Sequence, residues 1–207
     1  MKINYQKIME QEIEKIKDNQ NKPTLLLHAC CAPCTSAVLE YLDKYFAVTL
    51  FFYNPNIAPE SEFEFRLEEL KRLVVEMKLQ NINIVTPQYN PKEFEDMAEG
   101  LHDIPEGGAR CKKCYRLRLR AAVEYAAENN FDYVTTTLSV SPHKNADWLN
   151  EIGMELAESY GAKYLCSDFK KKEGYKRSIE LSRQYNLYRQ NYCGCIYSKK
   201  QSEMQNL

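Results

Sequence analysis

Seven of the chain's eight cysteines fall into three tight clusters: Cys30-Cys31-Ala32-Pro33-Cys34, Cys111-Lys112-Lys113-Cys114 and Cys193-Gly194-Cys195. Core cysteines behave as small hydrophobes and scatter singly along apolar faces, as only Cys166 does here. Any fold this chain adopts must therefore give grouped thiols a metal, a redox partner or both.

No apolar run reaches the roughly 18 residues of a membrane span, and no charged stretch leads into a secretory core, so neither is expected. The expected compartment is the reducing cytoplasm, where clustered cysteines bind metal or exchange electrons more often than they staple a fold. At 207 residues and 44% hydrophobic content the chain supports one core and one domain. Within it, residues 1–22 read as a peripheral N-terminal helix, 23–198 as a metal-binding catalytic domain and 199–207 as a tail. Net charge is -1, unevenly spread. Residues 54–107 hold 5 Lys/Arg against 12 Asp/Glu, a net of -7, and residues 108–200 hold 17 against 10, a net of +7. A polyanion can dock on the basic half.

Residues 6–17 read as a polar helix. Thr24–His28 and Ala47–Tyr53 are short apolar runs read as buried strands, with a helix over Ser36–Tyr45 between them, capped near Thr35. Phe63, Leu67, Leu70, Val74 and Met77 recur at helical spacing over 59–79, and 82–85 reads as a third strand. Asn90, Pro91 and Glu93 mark another helix start, with Asn90 as cap and Pro91 as first helical residue. Tyr115–Glu128 reads as a helix, Tyr133–Thr137 as a fourth strand, Ala146–Tyr160 as a helix and Lys163–Leu165 as a fifth strand. The alternation predicts an α/β fold, a Rossmann-like parallel five-stranded sheet flanked by helices. Ligands of such sheets bind beyond the carboxyl ends of the strands. The Cys30 cluster stands there, where a nucleotide-binding fold would carry a glycine-rich loop; neither GxGxxG nor GxxxxGK occurs.

Between a strand end and a helix start, Cys30, Cys31 and Cys34 meet free backbone N–H groups that favour thiolates. Cys111 and Cys114 have Arg110, Lys112, Lys113 and Arg116 around them. The Cys-x-x-Cys spacing serves zinc, iron–sulfur clusters and dithiol exchange alike. An adjacent Cys-Cys pair is a poor tetrahedral chelate for one small ion, whereas separate irons of a cluster accept adjacent thiolates. Cys193-Gly194-Cys195 would close a strained disulfide, of the oxidising and labile kind.

Together with Tyr53-Asn54-Pro55-Asn56-Ile57, Thr136-Thr137-Leu138 ahead of Ser141-Pro142, and Tyr192 before Cys193, these motifs resemble the QueH type of epoxyqueuosine reductase over about residues 24–198. The resemblance implies an oxidoreductase that removes the epoxide oxygen of epoxyqueuosine in tRNA by two-electron reduction, the last step of queuosine biosynthesis. It implies a Rossmann-like fold related to the adenine nucleotide α-hydrolases, a 4Fe-4S cluster on Cys30, Cys31, Cys111 and Cys114, and a redox-active disulfide from Cys193 and Cys195. Members can also hold a mononuclear iron beside the cluster, for which Cys34 is the candidate ligand here. Asp168, His28 and His143 are candidate proton donors. Arg110, Lys112, Lys113 and Arg116 are candidate tRNA-phosphate contacts, with Lys170–Lys172, Lys176 and Arg177 as a second patch. Tyr115, Tyr175, Tyr188 and Tyr192 are candidates to stack a splayed base. The expected partners are this tRNA and an electron donor.

Two rivals frame this reading. A zinc protein bracing an RNA-binding surface leaves the Cys193/Cys195 pair without a role, and an ATP-dependent tRNA-thiolating enzyme needs a phosphate loop where His28–Cys34 stands.

Overall fold

The computed structural model describes residues 3–79 and 81–205. Strand β1 (Thr24–His28) lies between β2 (Ala47–Phe51) and β4 (Tyr133–Thr136), and β3 (Asn83–Val85) adds outside β2, giving the order β3-β2-β1-β4. All three pairings are parallel, with Thr24 opposite Ala47 and Leu25 opposite Tyr133. A parallel sheet is covered on both faces, which is why its central strands read as continuous apolar runs.

Successive side chains of a strand point to opposite faces. Leu25, Leu27, Val48 and Leu50 accordingly pack on one face, beneath α1 (Tyr5–Ile16), α2 (Ala32–Leu42) and α3 (Glu60–Glu76). Leu26, Phe51 and Val134 face the other side, against α5 (Ala109–Glu128) and α6 (Ala146–Tyr160). Leu25, Leu26 and Leu27 are wholly buried, a contribution of about 1.5–3 kcal/mol each. The remaining helices are α4 (Pro91–Ala98), α7 (Gly174–Gln184) and α8 (Ile196–Gln205). Asn90 caps α4 with Pro91 first, as its sequence signals. Among the described residues no helix is long and apolar enough to cross a membrane.

The structure corrects the sequence reading at four places. The sheet has four strands, and the expected fifth is reduced to one bridge between Val134 and Tyr164. The ladder stops there because the Thr135 hydroxyl takes the Leu165 carbonyl and Asn150 takes the Ser167 N–H. The Tyr164 ring instead packs on Gly153 of α6, where a Cβ would lie only 2.3 Å from it. Helix α1 is not peripheral: Met9 and Ile13 are buried in the core. Of the expected tail over 199–207, residues 199–205 belong to α8, and residues 206 and 207 lie outside the described residues. Finally, α2 begins at Ala32 and α5 at Ala109, earlier than the sequence reads, so Cys34 and Cys111 lie in first helical turns.

Candidate active site

Cys31 is the N-cap of α2, with extended backbone (φ -170°, ψ 163°), and Pro33 occupies the first turn, where its missing N–H costs nothing. This turn gathers the sulfurs of Cys30, Cys31 and Cys34 within 4.8 Å of one another, with Cys30 and Cys31 3.8 Å apart. The Thr137 hydroxyl accepts from the Cys30 N–H (3.3 Å) and donates to its sulfur (3.4 Å). Hydrogen bonds from Cys31 and Cys34 hold the Cys30 thiol well below the ordinary thiol range. The same contacts with Cys30 push Cys31 up to about 12 and Cys34 well above the ordinary value. One negative charge thus serves three sulfurs, and a second thiolate requires a cation among them.

Gly108 is the N-cap of α5, and the Gly107 N–H donates to the Cys111 sulfur at 3.3 Å. Burial raises the Cys111 thiol and pushes Cys114 up to about 12. The third cluster precedes α8. Gly194 adopts φ +118°, and its carbonyl accepts from the Ala58 N–H at 3.1 Å. Arg66 donates to the Cys193 carbonyl at 3.3 Å, and the Ser198 N–H to the Cys195 sulfur at 3.4 Å. All eight cysteines are free thiols.

The three clusters line two adjoining cavities. The larger, about 640 Å³, is bounded by Cys30, Cys31, Cys34 and Cys193. The smaller, about 10 Å³, is bounded by Cys111, Cys114, Cys193 and Cys195. Four residues line both: Glu106, Lys144, Cys193 and Ser198. Lys144 is 8% exposed and pairs with Glu106 at 3.0 Å. Burial works against its ammonium, yet Cys193, Tyr115 and Glu106 hold its pKa above the usual lysine range.

Arg118, 2% exposed, also borders the larger cavity. Its guanidinium donates to the Asn54 side-chain oxygen, and its Nε has no hydrogen-bond partner. Among the described residues no carboxylate pairs with it; the sulfurs facing it are those of Cys114, Cys30 and Cys193. An unpaired buried charge is strongly unfavourable. Cysteine sulfurs grouped around a buried cation that has no carboxylate partner therefore fit an anionic thiolate-bound metal centre.

The structure gathers Cys34 with Cys30 and Cys31, and places Cys111, Cys114, Cys193 and Cys195 around the smaller cavity, outside that 4.8 Å group. Asp168 is not brought in: it ion-pairs with Lys170 and lines neither cavity. His28 is wholly buried, with its ring nitrogens on the Thr136 hydroxyl and the Tyr53 carbonyl; burial holds its pKa down at about 3. His143, Tyr175 and Tyr192 line the larger cavity. Arg110 is 2% exposed and turned inward onto the carbonyls of Leu101, His102 and Ile104, so its charge is not presented to solvent. Lys112, Lys113 and Arg116 are exposed; Lys112 lies over the Trp148 ring, and Arg116 pairs with Glu155. Sequence reasoning missed Lys144, counts Arg118 only within a basic run suited to phosphate contacts, and has Thr137 only as part of a motif. The signal for Arg118 was its position four residues after Cys114 and eight after Arg110, on the buried stripe of α5.

Two solved structures share the fold. A U34-tRNA thiolase, NcsA from Methanococcus maripaludis with its [4Fe-4S] cluster, superposes with a TM-score of 0.56 at 11% identity, covering 97% of this chain and 72% of that one. An NMN synthetase from Francisella tularensis gives 0.50 at 12% identity, covering 99% and 87%. In sequence, the epoxyqueuosine reductase QueH of Streptococcus pyogenes serotype M1 is 40% identical over 202 residues, 96% of this chain and 79% of the relative. The Thermotoga maritima protein of the same name is 34% identical over 179 residues, 84% and 90% of the two chains. The family profile for epoxyqueuosine reductase QueH matches residues 25–201, a span that contains all three cysteine clusters; the chain belongs to this family of oxidoreductases.

Proposed function

We propose that this chain reduces the epoxide of epoxyqueuosine in tRNA to the alkene of queuosine, in the cytoplasm. The observation that carries the reading is the convergence of three cysteine clusters on two adjoining cavities that share Cys193. Cys30, Cys31, Cys111 and Cys114 would hold a 4Fe-4S cluster and Cys34 an adjacent iron. Such a centre supplies one-electron transfer and Lewis acidity toward an oxygen ligand.

The chain's own residues supply the rest. The larger cavity takes the modified base, with Tyr175 and Tyr192 on its wall as stacking surfaces. Cys193, at the partition, faces the epoxide, and Cys195, buried behind it, resolves the pair. The two thiols lose two electrons and two protons as their S–S bond forms; the epoxide gains them, both C–O bonds break, and the oxygen leaves as water. An external reductant restores the dithiol. Lys144, fixed by Glu106 beside Cys193, presents an N–H donor to the departing oxygen. Lys112, Lys113 and Arg116 contribute phosphate contacts.

The test is the anaerobic, iron-loaded chain with an anticodon stem-loop bearing epoxyqueuosine, digested and followed by nucleoside mass spectrometry. Loss of one oxygen to give the alkene supports the reading. Unchanged epoxide in the presence of a reducible, fully loaded centre rejects it.

A further inference from the structure

We infer that Arg118 sets the electron affinity of the thiolate-bound centre, acting as a positioning residue whose buried guanidinium supplies the fixed positive charge against which an electron is taken up. The inference rests on the proposed cluster and deepens it. Arg118 lines the larger cavity with Cys30 of the first motif and Cys193 of the third, and lies one helical turn from Cys114 of the second on the buried stripe of α5. It thus stands against all three clusters. Its guanidinium donates to the neutral Asn54 amide, and that amide is itself held by donating to the Ala29 carbonyl at 3.0 Å. Among the described residues no carboxylate cancels the charge, and at 2% exposure water does not screen it. Cluster potentials respond to net charge and to hydrogen bonds on the sulfurs. A fixed cation at this place favours the reduced, more negative state. The other two buried cations bordering the cavity, Arg66 and Lys144, are each compensated by a glutamate.

The experiment uses full-length, anaerobically loaded protein, with iron and sulfide quantified and the midpoint potential followed by visible absorption and electron paramagnetic resonance. Arg118→Gln should load the centre but lower its reduction equilibrium constant at least tenfold, a shift of 59 mV to more negative values for one electron. Arg118→Lys, which keeps the charge, should stay close to wild type. Asn54→Asp sets a carboxylate against the guanidinium and should shift the midpoint in the same direction as Arg118→Gln, so it decides the matter if that variant does not fold. Arg120→Gln removes an exposed charge two residues along the helix and should leave the midpoint unchanged. Unaltered midpoints in Arg118→Gln or Asn54→Asp overturn the inference. Wild-type protein that takes up no iron with sulfide overturns the cluster assignment itself, and this inference with it.

Discussion

The Cys-Gly-Cys segment makes a quantitative demand on its central residue. Gly194 sits at φ +118°, and a Cβ built on it lies 3.0 Å from Ile57 Cγ1 and 3.0 Å from Arg66 Nη1. Ile57 is 1% exposed and Arg66 is held by Glu62, so neither neighbour yields freely. Gly194→Ala therefore costs backbone strain of about 1–3 kcal/mol and overpacking of about 1–3 kcal/mol. Gly100 provides the internal reference: φ is +71° and nothing lies within 4 Å of its would-be Cβ. Gly100→Ala pays only the left-handed backbone cost of about 1–2 kcal/mol. For a chain of this size one kcal/mol moves the melting temperature by about 2–4 °C. Gly194→Ala should thus melt below Gly100→Ala, by about 2–12 °C for a surplus of about 1–3 kcal/mol. Thermal melts are run on metal-free protein, since a metal that binds only the folded state would mask the difference. A Gly194→Ala melt equal to or above that of Gly100→Ala refutes the reasoning.

Three further outcomes follow from the same structure. Cys193→Ser and Cys195→Ser should each abolish turnover while the visible spectrum of the centre persists, and iodoacetamide should label Cys193 before Cys195 in the reduced protein; unchanged turnover removes the dithiol from the mechanism. Arg110→Ala should lower stability by about 2–4 kcal/mol in urea denaturation, because three loop carbonyls lose a charged donor; a stability loss near zero with weakened RNA binding would return Arg110 to the tRNA surface. Glu12 is held down at about 2, first by its hydrogen bond with Lys15 and then by those with Lys163 and Tyr133. Its folded pKa lies below its unfolded value, so its contribution is complete above pH 4.5 and is lost as pH falls toward 2. After solvent screening this amounts to about 1–2 kcal/mol. Glu12→Gln should therefore be less stable at pH 7 and show a flatter acid limb; an unchanged acid limb contradicts this contribution of Glu12.

Much of the fold was legible because burial writes itself into simple patterns. Thr24–His28 and Ala47–Phe51 are apolar on both faces, and the stripe from Phe63 to Met77 has helical period. Helices α7 and α8 left weak traces: GYKRSIELSRQ and IYSKKQSEMQ are mostly polar, and α8 buries little of its own. The fifth strand failed for a reason local pattern does not carry, since side chains of Thr135 and Asn150 intercept the hydrogen bonds a ladder needs. The cysteine clusters announced the site, but not its charge balance. Arg110 and Arg118 look like two more solvated cations in a basic run, and only the i, i+4, i+8 stripe through Cys114 distinguishes them. Asp168 illustrates the converse, a polar residue after a strand whose carboxylate turns to Lys170 rather than to the cavities.

The central claim is that the converging thiols hold a redox-active iron–sulfur centre. It is tested most directly by iron, zinc and acid-labile sulfide per chain in anaerobically prepared protein, with visible absorption before and after dithionite. Near-stoichiometric iron and sulfide with a band that bleaches on reduction is the predicted result. Zinc without sulfide in a fully loaded sample would contradict it and leave a metal-braced, RNA-binding protein in its place.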